Sequence, residues 1–298
     1  MDIRSSQNTQ SAQDTPARTW LITGSSRGFG RDLAIAALED GDNVVATARR
    51  PEQLDDLVRK YGDRVLPVAL DVTDRPAAVA ALKAGTDRFG RVDVVVNNAG
   101  YANLAATETT PEDDFRRQFD TNFWGVYNVS TAAIPVLREQ GGGTIVQFSS
   151  IGGRVGGTPG LASYQAAKFA VDGFTRVLAA ETAPFGIRYV VVEPGGFATD
   201  WAGSSMQIPD VSPEYDATVG AMVRVLDSSV VAAGDPRRAG EILVRVVKHP
   251  SPPTHLLLGV GAVEMAQTYS RAQLEEAAAW APLSRSADFG QDYPVDLP

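Results

Sequence analysis

The strongest constraint on this chain is a rhythm of short apolar runs alternating with helical stretches. "TWLITG" begins it after Arg18. "NVVATA", "RVLPVALDV", "VDVVVNNAG", "TIVQFSS", "IRYVVVEPGG" and "THLLLGV" follow, separated by segments with helical spacing such as Arg27 to Glu39, "PEQLDDLVRKYG" and "RPAAVAALKAGTDRFG". Strands this rich in Val and Leu are buried on both faces, and strands that alternate with helices run parallel, because each crossover carries the chain back to the same end of the sheet. A chain of 298 residues with 44% apolar composition has ample material for such a core.

The pattern predicts an α/β fold, a Rossmann-type doubly wound parallel sheet of about seven strands flanked by helices on both faces. Residues 1–17 are polar throughout and read as a disordered leader. Residues 18–298 read as one domain. Within it a flap of loops and helix over about 197–234 breaks the rhythm, and an appendage over about 263–298 ends it. A long helix is expected from Pro111 to Gln140, with a kink or fraying at Pro135.

Composition excludes several chemistries. There is no cysteine, hence no disulfide, thiolate nucleophile or cysteine-bound zinc, which suits a reducing cytoplasmic setting. The only histidines, His249 and His255, flank "HPSPPTH", read as loop residues, and lack the spacing and acidic companion of a metal site. A net charge of −9 argues against nucleic acid or an anionic membrane surface as partner. No apolar run is long enough to span a membrane. The adjacent carboxylates Asp55 and Asp56, Asp113 and Asp114, and Glu275 and Glu276 point in different directions on helices and read as solvated faces. Arg237 and Arg238 read as surface residues near a helix start, and Arg154 as a salt-bridge partner in preference to a contact for an acidic substrate.

Two stretches carry chemistry. "TGSSRGFG", Thr23 to Gly30, lies where the first strand meets the first helix. Its glycines Gly24, Gly28 and Gly30 allow a tight turn and close approach of a ligand, and free amides at a helix N-terminus favour a pyrophosphate. In "ASYQAAKFAVDGF", Tyr164 and Lys168 stand four residues apart and share a helical face. A cation one turn away would lower the phenol pKa toward neutrality, as proton transfer at neutral pH requires.

With "NNAG" at Asn97 to Gly100, these motifs resemble the short-chain dehydrogenase/reductase family over about Arg18 to Gly261. The resemblance implies an oxidoreductase that moves a hydride between a nicotinamide cofactor and a carbonyl or alcohol. It implies Asn122, Ser150, Tyr164 and Lys168 as catalytic residues, with Tyr164 as general acid/base and Asn122 holding a water that relays protons through Lys168. Ser150 stands one residue further from Tyr164 than the family pattern usually has, which leaves Ser149 as an alternative. For the cofactor it implies Gly24, Ser26, Arg27, Gly28, Phe29, Gly30, Asp71, Val72, Asn98, Ala99, Gly100, Tyr164, Lys168, Pro194, Gly195, Phe197 and Thr199, with Asp71 at the adenine and Thr199 at the nicotinamide amide.

At the end of the second strand, where an NAD enzyme places a carboxylate, this chain has Ala48 followed by Arg49, with Arg27 in the glycine loop. Guanidinium groups there suit the 2′-phosphate of NADP(H). The substrate side would be lined by Tyr101, Ser150, Trp201 and Met206, with Ile208, Val211 and Tyr215 nearby, which suits a hydrophobic ketone or secondary alcohol. The family commonly assembles through helices corresponding to Phe115 to Leu137 and Tyr164 to Ala183, so a homodimer or homotetramer is expected. A cofactor-binding regulator without turnover is the alternative, and it would need neither Tyr164 nor Ser150.

Overall fold

The computed structural model describes residues 16–199, 206–227 and 234–298. Seven strands, β1 (Thr19–Ile22), β2 (Asn43–Ala48), β3 (Val65–Ala69), β4 (Val94–Asn97), β5 (Gly143–Phe148), β6 (Ile187–Pro194) and β7 (His255–Leu258), form one sheet in the order β3-β2-β1-β4-β5-β6-β7. Every neighbouring pair is parallel. The helices are α1 (Gly28–Glu39), α2 (Asp55–Tyr61), α3 (Arg75–Phe89), α4 (Glu112–Phe119), α5 (Gly125–Glu139), α6 (Ala162–Thr182), α7 (Ala221–Asp227), α8 (Pro236–Lys248) and α9 (Val260–Arg285).

The near-continuous apolar strands are explained by burial on both faces. Trp20, Ile22, Val44, Val94 and Val96 pack into one layer with Leu33 of α1 and Leu243 of α8. Leu21, Val45, Val95 and Ile145, their alternates, pack into the other with Leu82 of α3, Val129 of α5 and Leu178 of α6. Local signals set the helix ends: Asp74 caps α3 by accepting from Ala77 N at 3.1 Å, and Asp235 caps α8 through Arg237 N and Arg238 N. The chain winds outward from β1 to β3 and then returns to β4 on the other side of β1, so a crevice opens at the C-terminal ends of β1 and β4.

Three sequence expectations need correction. The helix between 111 and 140 runs on through Pro135 to Glu139, and its irregularity comes earlier, as a π turn over Asp120–Trp124. Asp114 is not solvated: its side chain is only 15% exposed and takes hydrogen bonds from Asn103 and Gln118. Asp56 is exposed, as expected, and pairs there with Arg31. His255 begins β7 rather than sitting in a loop, and its Nε2 lies 2.6 Å from Asp172 Oδ1.

Residues 206–227 carry a short 3-10 turn, a π turn and α7. Their flanks are joined, since Ala198 N donates to Gly234 O and Gly234 N to Gly196 O. α9 seats Ala262 and Ala266 near Ile151 and Leu257, whereas Phe289 and Tyr293 in the tail are exposed and cover nothing.

Candidate active site

The loop from Thr23 to Gly30 turns where β1 ends, with Gly24 at φ +70° and Gly28 at φ +55°, values that side-chain-bearing residues rarely adopt. Gly30 is required by proximity, because a Cβ there would stand 2.4 Å from Gly24 O. Asn98 locks the loop from β4: its Nδ2 donates to Thr23 O at 2.9 Å and to Gly24 O at 3.2 Å. Thr23 Oγ1 in turn accepts from Asn98 N and Ala99 N. Asn98 and Ala99 thus support the cradle through the backbone.

The cradle fits the pyrophosphate of a dinucleotide. α1 starts at Gly28, and its N-cap Arg27 has extended backbone and makes no side-chain cap, which leaves the Arg27 side chain out of competition for the first amides. Ser26 and Arg27 lie in the turn leading to them. Phe29 and Phe197 take another part, their rings packing on each other at 4.9 Å between centroids, with Phe148 beside Phe29 at 5.5 Å. Thr199 lies over the loop, its Cβ 3.8 Å from where a Cβ on Gly28 would stand. Gly195 N donates to Leu258 O at 3.0 Å, which ties the Pro194 strand end to β7. Asp71 is exposed, and its Oδ1 accepts from Thr73 N and Thr73 Oγ1. Val72 packs beneath Gly125 at the start of α5, where a Cβ would meet its Cγ2 at 2.5 Å. Arg49 is exposed and forms no hydrogen bond or ion pair among the described residues, while Ala48 beside it is buried.

Tyr164 and Lys168 lie on the buried face of α6, 8% and 4% exposed. Of the two serines, Ser150 is the one beside the Tyr164 phenol, whose pKa it pulls down, and it accepts from Gly152 N at 3.0 Å. Ser149 is buried and turned away, donating to Lys168 O at 3.1 Å. Gly100 brings the remaining groups together, since a Cβ there would be 2.6 Å from Asn122 Oδ1 and 3.5 Å from Lys168 Nζ. The π turn carries Asn122, whose side chain brackets Tyr101 by donating to its carbonyl at 2.8 Å and accepting from its amide at 3.2 Å.

Burial governs the titration of the pair. It pushes the Tyr164 phenol up to about 12, with the Ser150 hydrogen bond pulling the other way. It also pulls the Lys168 ammonium down to about 8. The expected lowering of the phenol by the lysine is therefore overridden by desolvation. Lys168 Nζ donates to Phe148 O at 2.8 Å and stands 5.6 Å from the Tyr164 ring centroid.

On the substrate side, Tyr164 belongs to an apolar cluster with Leu104, Leu161 and Val219, against which Met206, Val211 and Tyr215 pack. Ile208 is exposed outside it. Tyr101 is half-buried, and burial followed by the Asp114 charge raises its phenol. Trp201 lies outside the described residues. Arg154 is bound to the buried Glu193 at 2.9 Å, a structural pair. Ser130 and Gln147, absent from the sequence expectations, join Asn97 of the "NNAG" motif in a buried network behind the site through bonds of 2.8–3.0 Å. A glutamine inside the apolar run "TIVQFSS" was the signal for it.

A glycine cradle at the switch point of a doubly wound sheet, beside a buried Ser-Tyr-Lys cluster, defines a dinucleotide-dependent oxidoreductase. The profile of the family described as short chain dehydrogenase matches residues 18–208, and the chain belongs to that family. Oxidoreductase BOA17 of Botryotinia fuckeliana is 55% identical over 251 residues, covering 84% of this chain and 91% of that protein. A short-chain dehydrogenase from Streptomyces avermitilis superposes with a TM-score of 0.85 at 37% identity, covering 91% of this chain and all of that one. A short chain dehydrogenase from Burkholderia cenocepacia, solved in complex with NADP, gives 0.69 at 26% identity, covering 88% and 96%. The family binds a nicotinamide cofactor and acts on small molecules. No helix among the described residues is long and apolar enough to cross a membrane.

Proposed function

We propose that this chain is an NADPH-dependent carbonyl reductase, interconverting a hydrophobic ketone and a secondary alcohol, with Tyr164 as the proton donor and acceptor. The observation that carries this reading is the placement of Ser150 beside the buried Tyr164 phenol, whose pKa it pulls down, at the edge of an apolar cluster that includes Met206. The nicotinamide, when bound, supplies the hydride to the carbonyl carbon or accepts it from the carbinol carbon. Tyr164 Oη gives its proton to the substrate oxygen, and Ser150 Oγ donates to the same oxygen, which gains negative charge as the bond order falls. Lys168 places a cation beside the resulting phenolate, and in a buried site that attraction is weakly screened. Asn122 fixes the Tyr101 backbone at the pocket wall. A panel of ketones tests the substrate class: aromatic and other apolar ketones are expected to exceed small charged ones in kcat/KM, and the reverse order refutes it.

The preference for NADPH rests on Ala48 in place of a carboxylate and on Arg49, which is exposed and has no acid partner among the described residues. One or two charge-assisted contacts to a 2′-phosphate correspond to a preference on the order of a hundredfold, reduced by solvent exposure. Comparing kcat/KM for NADPH and NADH checks this directly, and equal values refute it. Ala48→Asp with Arg49→Ala is expected to shift the preference toward NADH, mainly by weakening NADPH.

The helices α4, α5 and α6 suit self-association. With the π turn between α4 and α5, they carry an exposed aromatic and aliphatic surface at Trp124, Phe169 and Val177, backed by Phe123, Tyr127 and Phe174 in edge and tilted ring contacts. A homodimer or homotetramer in the cytoplasm is the proposed form. Light scattering at micromolar concentration is expected to give a multiple of 31.6 kDa, and a monomer contradicts it.

A further inference from the structure

A polar clasp joins the stretch after "NNAG" to the segment at 206–207, and the chemistry above makes no use of it. Leu104 N donates to Gln207 O at 3.0 Å, and Gln207 N donates to Asn103 Oδ1 at 3.2 Å. Asn103 Nδ2 donates to Asp114 Oδ1 at 2.8 Å. Gln118 closes the ring, with its Nε2 donating to Asp114 Oδ2 at 3.2 Å and its Oε1 accepting from Asn103 N at 3.1 Å. Arg117, further out on α4, reaches Asp114 at 3.3 Å. Asn103 is 7% exposed and Gln118 1%, so these two amides have left water and depend on their partners, while Gln207 and Arg117 remain exposed.

No helix or strand requires this cage, because residues 101–106 belong to neither. What the cage fixes is position. Met206, next to the clasped Gln207, packs against the cluster that contains Tyr164. At the other end of the same strip of chain, Asn122 holds the Tyr101 backbone from both sides. Residues 101–104 therefore link the π turn beside Lys168 to the wall over Tyr164.

We propose that Asn103, held by Asp114 and Gln118, is a specificity-determining positioning residue. It sets the depth of the apolar wall at Met206 over Tyr164, and so determines how tightly a bulky apolar carbonyl compound is held. This rests on the reading of Tyr164 as the acid/base. Asn103 touches neither reacting atoms nor the glycine cradle, so its influence falls on substrate fit and leaves the dinucleotide alone. Small ketones, which do not reach the wall, are indifferent to it.

The test exchanges donor and acceptor within the clasp of the full chain. Asn103→Asp sets two carboxylates against each other, and Asp114→Asn turns one amide donor toward another. The double variant restores the pattern, because Asn at 114 can donate to Asp at 103 while accepting from Gln118, and Asp at 103 still accepts from Gln207 N. With saturating NADPH, Asn103→Asp is expected to lower the kcat/KM ratio of an aryl alkyl ketone over acetone about tenfold, through KM, with kcat and the NADPH Kd within about threefold. The double variant is expected to recover the ratio to within about threefold. An unchanged ratio in Asn103→Asp, or a double variant no better than the worse single one, overturns the proposal, as does an equal loss for both ketones. Should the parent turn over no carbonyl compound, the reading of Tyr164 fails, and amide exchange at Leu104 and Gln207 judges the clasp. Faster exchange in the single variants with recovery in the double supports it, and unchanged exchange overturns it.

Discussion

Tyr164→Phe is expected to lower kcat by three to four orders of magnitude, the upper range for loss of a positioned general acid, while the NADPH Kd stays within about threefold. Only the hydroxyl is removed. The ring keeps its place among Leu104, Leu161 and Val219, so the variant should fold and bind as the parent does. Ser150→Ala is expected to lower kcat/KM by about one to two orders of magnitude, since it loses one donor to the developing oxyanion. Ser149→Ala is the control: its hydroxyl serves Lys168 O and points away from the phenol, and turnover should remain within about threefold. Stopped-flow or steady-state NADPH oxidation reads all of these. Near-normal turnover in Tyr164→Phe refutes the assignment of the acid, and a large loss in Ser149→Ala with none in Ser150→Ala reverses the assignment of the serine.

Lys168→Met is expected to lower turnover at least a hundredfold, since the phenolate loses its buried counter-charge. It should also change how stability depends on pH. Lys168 has an ordinary pKa of 10.5 in the unfolded chain and about 8 when buried in the folded one. Between those values the unfolded state binds a proton that the folded state does not, so stability rises with pH across that window. Below pH 8 both states are protonated, and the folded state carries the full penalty of a buried ammonium. The interval is worth about 3 kcal/mol. The parent is therefore expected to gain on Lys168→Met by up to that amount as pH goes from 7 to about 10.5, a shift of roughly 5 °C in the Tm difference for a chain of this size. Comparing the pair cancels every other titrating group. A Tm difference independent of pH rejects the assignment of a proton-losing lysine at this position.

Some residues were misread from the sequence for a common reason. Asp114 looked like half of a solvated pair because adjacent carboxylates on a helix diverge, which is true of their directions and says nothing about what they meet. Asp113 meets solvent, whereas Asp114 meets Asn103 and Gln118 across a gap closed only by tertiary packing. The same holds for His255, whose proline-rich surroundings suggested a loop. Its backbone pairs with Val191 of β6, so the strand announced by "THLLLGV" takes in the histidine at its first position, despite the prolines just before it. The irregularity in the long helix was placed at Pro135, where one residue type signals it, and lies instead at Asp120–Trp124, where no residue type does.

The sheet, its parallel sense and the cradle were legible in the residues themselves. Those features depend on patterns within ten or twenty residues: apolar runs buried on both faces, glycines at a strand-to-helix junction, and a tyrosine and lysine one helical turn apart. Which serine faces the phenol depends on packing, because Ser149 and Ser150 are chemically identical and point to opposite sides of one extended strand end. Packing decided the sign of the Tyr164 shift as well. The spacing predicts attraction to a cation, but the shift is governed by how much water the fold removes from both groups, and desolvation at 8% and 4% exposure outweighs a lysine whose ammonium is turned to Phe148 O. The clasp from Asn122 through Asn103 to Gln207 belongs to the same class, since its members are separated by up to 104 positions and meet only because the sheet brings the ends of the chain's loops to one edge of the crevice.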